Sequence, residues 1–224
     1  MKPMFGYLPE AVFFDLDGTL ADTAEDLAAP VNALRAERGL PPLPLAALRP
    51  YASMGARGLL GQGLGVAPGD PGFEELRDEF LRRYEAEICV RTRLFDGMSE
   101  VIESLERRRI AWGVVSNKVE RYVRPILGAL GVLERSVTAI GGDTTAHAKP
   151  HPEPLLHAAR LARVAPGRSV YVGDDERDIE AGRAAGMITV AAAYGFCGAA
   201  SRPEEWGADF LIDSPAALLE LLPR

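Results

Sequence analysis

Two aspartates one residue apart, Asp15 and Asp17, close the apolar run Ala11-Val12-Phe13-Phe14 and are followed by Gly18. In extended backbone, residues i and i+2 share a face, so both carboxylates can enter one cavity. Two carboxylates this close repel, so either one keeps a proton or a cation lies between them. The chemistry suggested is metal-assisted and carboxylate-based. Gly18 marks a tight departure where the backbone passes close to a ligand. Alone, such a pair is more often an acidic strand end in solvent. Three further polar sets change that balance: Ser116-Asn117-Lys118, Lys149-Pro150, and Gly173-Asp174-Asp175 with Asp178.

The elements that must position these groups follow from periodicity. Residues 11–14 are too few for a helix and read as a buried strand of a parallel sheet. The second half of the chain predicts alternating elements: helix 98–109, strand 111–115, helix 120–130, strand 137–140, helix 153–163, strand 170–172, helix 178–185, strand 188–191, strand 210–212 and helix 215–222. That alternation predicts an α/β fold with a doubly wound parallel sheet, Rossmann-like in its layering. Ligands bind such sheets at the carboxyl ends of the strands. Asp15, Asp17, Ser116, Asn117, Asp174 and Asp175 all follow predicted strands directly, and Lys149 follows another within several residues. Each set alone is a common turn or helix lead-in. Their shared edge makes them a candidate site.

Residues 22–90 read differently. Asp22 or Thr23 is placed to cap a helix whose apolar face carries Leu27, Val31 and Leu34, and Gly39 stops it. Pro30 inside it predicts a kink or a break. Residues 41–44 form a proline-rich connector, followed by a short helical piece over 45–51. Ser53 is a candidate cap for the next element, with Arg57 in its first turn, where free backbone N–H groups favour an anion. Gly61, Gly63 and Gly65 end that element, residues 68–72 form a turn, and residues 73–89 carry a helical apolar face. No strand is expected here. The reading is a helical cap, 22–90, inserted after the first strand of a core made of residues 1–21 and 91–224.

Composition limits the partners. The chain has 224 residues, of which 47% are hydrophobic and 25% charged, with a net charge of −7. No basic run or interleaved aromatics suggest nucleic acid. An anionic substrate must be drawn in by a metal or by local cations against the overall field. Cys89 and Cys197 are too few for a disulfide framework and lack metal-type spacing. His147 and His151 read as loop residues, since no thiolate or third histidine accompanies them. Residues 1–10 lack the features of a signal peptide, and no apolar run approaches the ~20 residues of a membrane span. The expectation is a cytoplasmic protein with no membrane partner.

In order, Asp15-Leu16-Asp17-Gly18-Thr19-Leu20, Ser116-Asn117-Lys118, Lys149-Pro150 and Gly173-Asp174-Asp175 with Asp178 resemble the four motifs of the haloacid dehalogenase-like hydrolases. The likeness spans nearly the whole chain, with the helical block in the place of that family's small cap. Within the family the sequence is similar to phosphoglycolate phosphatases. Around Ser53-Met54-Gly55-Ala56-Arg57 and Trp206-Gly207-Ala208-Asp209 it is also similar to N-acetylmuramic acid 6-phosphate phosphatases.

The resemblance implies a Mg²⁺-dependent phosphatase acting on a small phosphorylated metabolite. The first expectation is 2-phosphoglycolate, with N-acetylmuramic acid 6-phosphate or a phosphomutase reaction as alternatives. It implies Asp15 as nucleophile, through an aspartyl-phosphate, and Asp17 as acid and then base. Asp15 and Asp174 would be side-chain metal ligands, and Asp17 would ligate through its backbone carbonyl. Ser116, Asn117, Gly18 and the catalytic Lys149 would hold phosphate, with Asp175 and Asp178 behind them. Arg57 and Lys118 are candidates to touch the rest of the substrate. A receiver-type signalling domain fits badly, because its acids and lysine fall at other strands and it lacks the helical block. A dehalogenase usually lacks an acid at the Asp17 position. The assembly expected is a monomer or homodimer.

Overall fold

The computed structural model describes residues 5–199 and 202–223. Six strands form one parallel sheet: β1 (Ala11–Phe14), β4 (Ala111–Val115), β5 (Ala139–Ile140), β6 (Ser169–Gly173), β7 (Ile188–Ala192) and β8 (Phe210–Ile212), in the order β5-β4-β1-β6-β7-β8. The strand order reverses at β1, which pairs with β4 on one side and β6 on the other. A crevice at the carboxyl ends is expected at that reversal. Phe14 lies opposite both Val114 and Val172, so β4 and β6 run one residue beyond β1, and Asp15, Ser116 and Asp174 leave the sheet within one residue of the same level.

Alternation along β1 builds the layers. Val12 and Phe14 face α5 (Met98–Arg107), α6 (Glu120–Ala129) and α9 (Ala217–Leu221), packing among Val101, Ile126 and Leu218. Ala11 and Phe13 face α7 (Glu153–Ala162) and α8 (Glu176–Ala184), packing among Leu155, Ala158 and Ala181. All four β1 residues are fully buried, as a strand covered on both faces requires. Strand β5 is shorter than the predicted 137–140, although the backbone of 137–138 already bonds to β4, the Val137 N–H donating to the Trp112 carbonyl and the Thr138 carbonyl accepting from the Val114 N–H, both at 2.8 Å.

Between β1 and β4 the chain leaves the core through β2 (Ala21–Asp22) and returns through β3 (Arg93–Leu94), an antiparallel ribbon with no counterpart in the sequence expectation. Two-residue strands carry no periodicity to read. Beyond the ribbon lie α1 (Ala24–Ala36), α2 (Leu45–Leu48), a 3₁₀ turn (Arg49–Met54), α3 (Gly55–Leu64) and α4 (Phe73–Ala86). Leu27, Val31 and Leu34 pack with Leu59, Leu60, Phe73 and Phe80 in a cluster of their own. Helix α1 runs through the buried Pro30 without a break, so this apolar packing outweighs the lost backbone bond. Asp26 closes the block, accepting the backbone N–H groups of Val90, Arg91 and Thr92 at 3.0, 3.0 and 2.8 Å. Tyr122 of α6 and Phe196 join this cluster from the core, and the Tyr84 and Tyr122 rings meet edge to face at 5.7 Å.

Candidate active site

Lys149 stands at the centre of the strand ends and is buried. Its ammonium lies 2.9 Å from Asp15 Oδ1, 2.7 Å from Asp178 Oδ1 and 2.7 Å from the Tyr171 hydroxyl. The Val115 carbonyl is a fourth acceptor at 3.0 Å, so the three ammonium hydrogens are shared among four oxygens, and Tyr171 donates to the same carbonyl at 2.7 Å. Burial disfavours the ammonium, but the Asp15 and Asp178 carboxylates more than offset this, so the pKa of Lys149 lies above that of an ordinary lysine. Asn117 fixes the lysine's backbone, donating from Nδ2 to its carbonyl and accepting its N–H, both at 2.9 Å.

One oxygen each of Asp15, Asp174 and Asp178 lie within 4.8 Å of one another. Asp174 is fully buried. Its Oδ1 accepts from the Thr19 hydroxyl at 2.9 Å and its Oδ2 from the Phe196 N–H at 2.8 Å. Gly18 is required beside it: φ is +88°, and a Cβ there would collide with the Asp174 carboxylate. The backbone thus approaches a carboxylate at the point where the sequence suggested a ligand. The single ammonium pairs with Asp15 and Asp178 and leaves Asp174 without a cation, and all the donor atoms are hard oxygens. That set fits a hard divalent cation that keeps several waters.

The electrostatics make the same point. Burial, followed by the Asp15 and Asp178 charges, pushes the Asp174 carboxyl well above the carboxylate range. Burial also lifts Asp178 to about 7, even with Lys149 beside it. Raised folded-state values mean that the native protein holds protons that the unfolded chain has released. Stability without a divalent cation is therefore fully present below about pH 4, the unfolded value. For Asp178 it is lost as pH rises to about 7, by up to ~1.4 kcal/mol per pH unit, and Asp174 acts in the same direction. In chelator, the urea midpoint should fall between pH 5 and 7.5, and excess Mg²⁺ should restore it. A midpoint that rises across that interval in chelator would contradict the assignment.

Asp17 is aimed differently. Its Oδ1 accepts from the Thr23 hydroxyl at 2.6 Å and its Oδ2 meets the Lys118 ammonium at 3.1 Å. Thr23 does stand at the N-cap position of α1, but its hydroxyl accepts no cap bond and donates to Asp17. Lys118 is largely buried and lies over the Tyr84 ring, 4.7 Å from its centroid, so it joins Asp17 to the helical block. Ser116 is buried beneath the cavity, and its hydroxyl accepts the Lys118 N–H at 3.2 Å. Asp175 caps α8 in a reciprocal capping box with Asp178.

A cavity of about 290 Å³ lies between these groups and the helical block. It is lined by Asp15, Asp17, Ser116, Asn117, Lys118, Lys149, Asp175 and Asp178, and from the opposite side by Ala52, Ser53, Met54, Phe80, Leu81 and Tyr84. Gly18 and Asp174 lie just behind this lining. Arg57 is not brought to the cavity. It lies exposed on the first turn of α3, and its neighbours Gly55 and Ala56 line the wall instead. The arginine that does line it is Arg177, unmarked in the sequence reading. Its guanidinium binds both oxygens of Asp175, at 2.7 and 2.8 Å, and donates to the Ser53 carbonyl at 3.1 Å. Its position in a G-D-D-x-x-D segment was the available signal, since the first turn of α8 faces the cavity. The segment 206–209 is remote from the cavity lining, with Asp209 accepting the Thr189 N–H and hydroxyl to join β8 to β7.

The family model for haloacid dehalogenase-like hydrolases matches residues 12–192, which include every strand-end group described above. The chain belongs to that family. The hydrolase is 49% identical over 213 residues to a phosphoglycolate phosphatase of Xanthomonas campestris, covering 95% of this chain and 96% of the relative. It is 42% identical over 215 residues to an N-acetylmuramic acid 6-phosphate phosphatase of Pseudomonas aeruginosa, covering 96% and 95%. Among solved structures, a predicted phosphoglycolate phosphatase from Haemophilus somnus superposes with a TM-score of 0.83 at 26% identity, over 95% of this chain and 97% of the other. The parallel sheet of the hydrolase is thus one that its relatives share. Among the described residues, no helix is long and apolar enough to cross a membrane.

Proposed function

We propose that this hydrolase is a Mg²⁺-dependent phosphatase that removes the phosphoryl group from a small metabolite through an aspartyl-phosphate on Asp15. The observation that carries the reading is the division of labour between the two aspartates. Asp15 belongs to the cluster with Asp174, Asp178 and Lys149, while Asp17 turns away toward Thr23, Lys118 and the cavity. Asp15 attacks phosphorus in line with the leaving oxygen, which divides one hydrolysis into two displacements. Asp17, on the leaving-group side, delivers a proton to the departing alkoxide and later takes one from the attacking water. Ser116, the backbone at Gly18 and Asn117, and Lys149 hold the phosphoryl oxygens as charge moves among them. Asp15 and Asp174, with the Asp17 carbonyl, would hold the Mg²⁺, and Asp175 and Asp178 would orient the groups behind them. The bound ion supplies charge neutralisation between Asp15 and the phosphoryl group.

Residues 22–90 act in this reading as a cap that closes over the leaving group and excludes water. A cytoplasmic location and a monomer or homodimer accompany it. Two esters are candidates through the relatives, 2-phosphoglycolate and N-acetylmuramic acid 6-phosphate. The cavity favours the larger. Its volume of about 290 Å³ is at the low end of the ~300–1,000 Å³ of sites for drug-sized ligands. Its outer wall carries Leu27, Phe80, Tyr84, Val119 and Tyr122, surfaces suited to a sugar ring and an acetyl methyl. Each cation lining it is already paired: Lys118 with Asp17, Lys149 with Asp15 and Asp178, Arg177 with Asp175. A two-carbon acid would have to capture one of them without filling the space.

Assay of both esters with Mg²⁺ and with excess chelator tests the reading. We expect phosphate release to depend on Mg²⁺ and kcat/KM to be at least about tenfold higher for the sugar ester, the value of one good contact of ~1.4 kcal/mol. A preference for 2-phosphoglycolate restores the smaller ester. Full activity in chelator, or rearrangement of the ester without phosphate release, removes the phosphatase assignment itself.

A further inference from the structure

Outside the cavity, one other group of side chains has the makings of a site. His147, His151 and Glu153 bring one ligand atom each within 4.8 Å of the others. The imidazole rings stack with centroids 4.2 Å apart and planes inclined by 25°. His147 Nδ1 lies 2.8 Å from Glu153 Oε2, which also accepts the His147 backbone N–H at 3.2 Å. Both histidines are exposed, so an ion can reach them from solvent. Glu153 is a third ligand of a kind that the sequence analysis, which looked for a thiolate or a third histidine, did not count.

We propose that His147, His151 and Glu153 form a second cation site that takes a borderline transition-metal ion of the zinc class. The donor chemistry separates it from the carboxylate cluster. Imidazole nitrogen suits zinc, nickel and copper, whereas an all-oxygen set suits magnesium. Metal–nitrogen bonds of ~2.0–2.1 Å in tetrahedral geometry put ligand atoms ~3.4 Å apart. The ligand atoms now lie within 4.8 Å of one another, and rotation of the two exposed rings brings their nitrogens onto a common ion, with waters completing the shell. The frame is already held. Glu153 opens α7, its N–H donates to His151 Nδ1 at 3.2 Å, and the His151 N–H closes a turn onto Ala148 at 3.0 Å. The two histidines flank Lys149 at two residues on either side, so an ion here ties together the loop that carries the buried lysine.

Calorimetric titration of the full-length protein with Zn²⁺ in saturating Mg²⁺ tests this. Wild type and Asp15→Asn should both take up an equivalent of Zn²⁺ that His147→Ala/His151→Ala binds at least about tenfold more weakly. The histidine pair is exposed and outside the core, so the double variant should keep its fold and its basal phosphatase activity. The chain has three histidines, which allows a second readout. In ¹⁵N-imidazole spectra, Zn²⁺ should move the His147 and His151 ring signals and leave that of His157. Uptake unchanged in the double variant, uptake lost in Asp15→Asn, or equal movement of all three rings would each overturn the proposal.

Discussion

Asp15→Asn is expected to lower turnover by at least about 10⁴-fold, a loss of the size seen when a nucleophile is removed, while the protein folds normally. An amide neither attacks phosphorus nor carries the charge that faces a divalent cation. The position of residue 15 is set by backbone, because its N–H donates to Val172 at 2.9 Å as β1 ends beside β6. The substitution therefore changes chemistry and leaves the scaffold. It also removes one negative charge that raises Asp174 and Asp178, so the metal-free variant should be at least as stable as wild type. Stabilisation by Mg²⁺ should shrink. Steady-state hydrolysis of p-nitrophenyl phosphate and thermal melting with and without Mg²⁺ measure both effects. A variant that keeps a tenth of the wild-type rate would remove Asp15 from the nucleophile's role.

Lys149→Met should be damaging to both rate and fold. Methionine keeps the bulk of the stem but takes away the ammonium that Asp15, Asp178 and Tyr171 surround. Removing one partner of a buried pair typically costs about 3–5 kcal/mol, because the remaining charges stay buried without compensation. In chelator the loss should appear as a large drop in the urea midpoint, part of which Mg²⁺ restores by neutralising the carboxylates. Activity should fall by roughly 10²–10³-fold even with Mg²⁺, the effect of losing one preorganised charge stabiliser. If stability changes by less than about 1 kcal/mol, the pairing seen around Lys149 is not what holds the strand ends together.

The strand ends were legible because their signals are local. Asp15, Ser116 and Asp174 each close a short β-rich run, and the parallel-sheet rule places them on one edge without any long-range information. What could not be read depended on contacts distant in sequence. Arg177 meets Ser53 across 124 positions, so neither its aim nor the exposure of Arg57 follows from nearby residues. Thr23 stands where the capping pattern puts it, but its hydroxyl is oriented toward Asp17 and accepts no backbone N–H of the helix. Pro30 shows the same competition, since a locally unfavourable residue is retained where an apolar face is buried. The ribbon of β2 and β3 was invisible because two residues define no period.

Chemical trapping of the phosphoryl group on Asp15 is the most direct test of the mechanism. In Asp17→Asn, p-nitrophenyl phosphate should still transfer its phosphoryl group, because p-nitrophenolate leaves without protonation. Hydrolysis should then stall, because no base activates the water. An acyl phosphate accumulated in this way is reduced by borohydride to an alcohol, which marks the residue that carried it. The account predicts a burst of one p-nitrophenolate per site and homoserine at position 15 in the peptide mass spectrum. Steady release without a burst and with residue 15 unmodified, or the mark on any other residue, would contradict it.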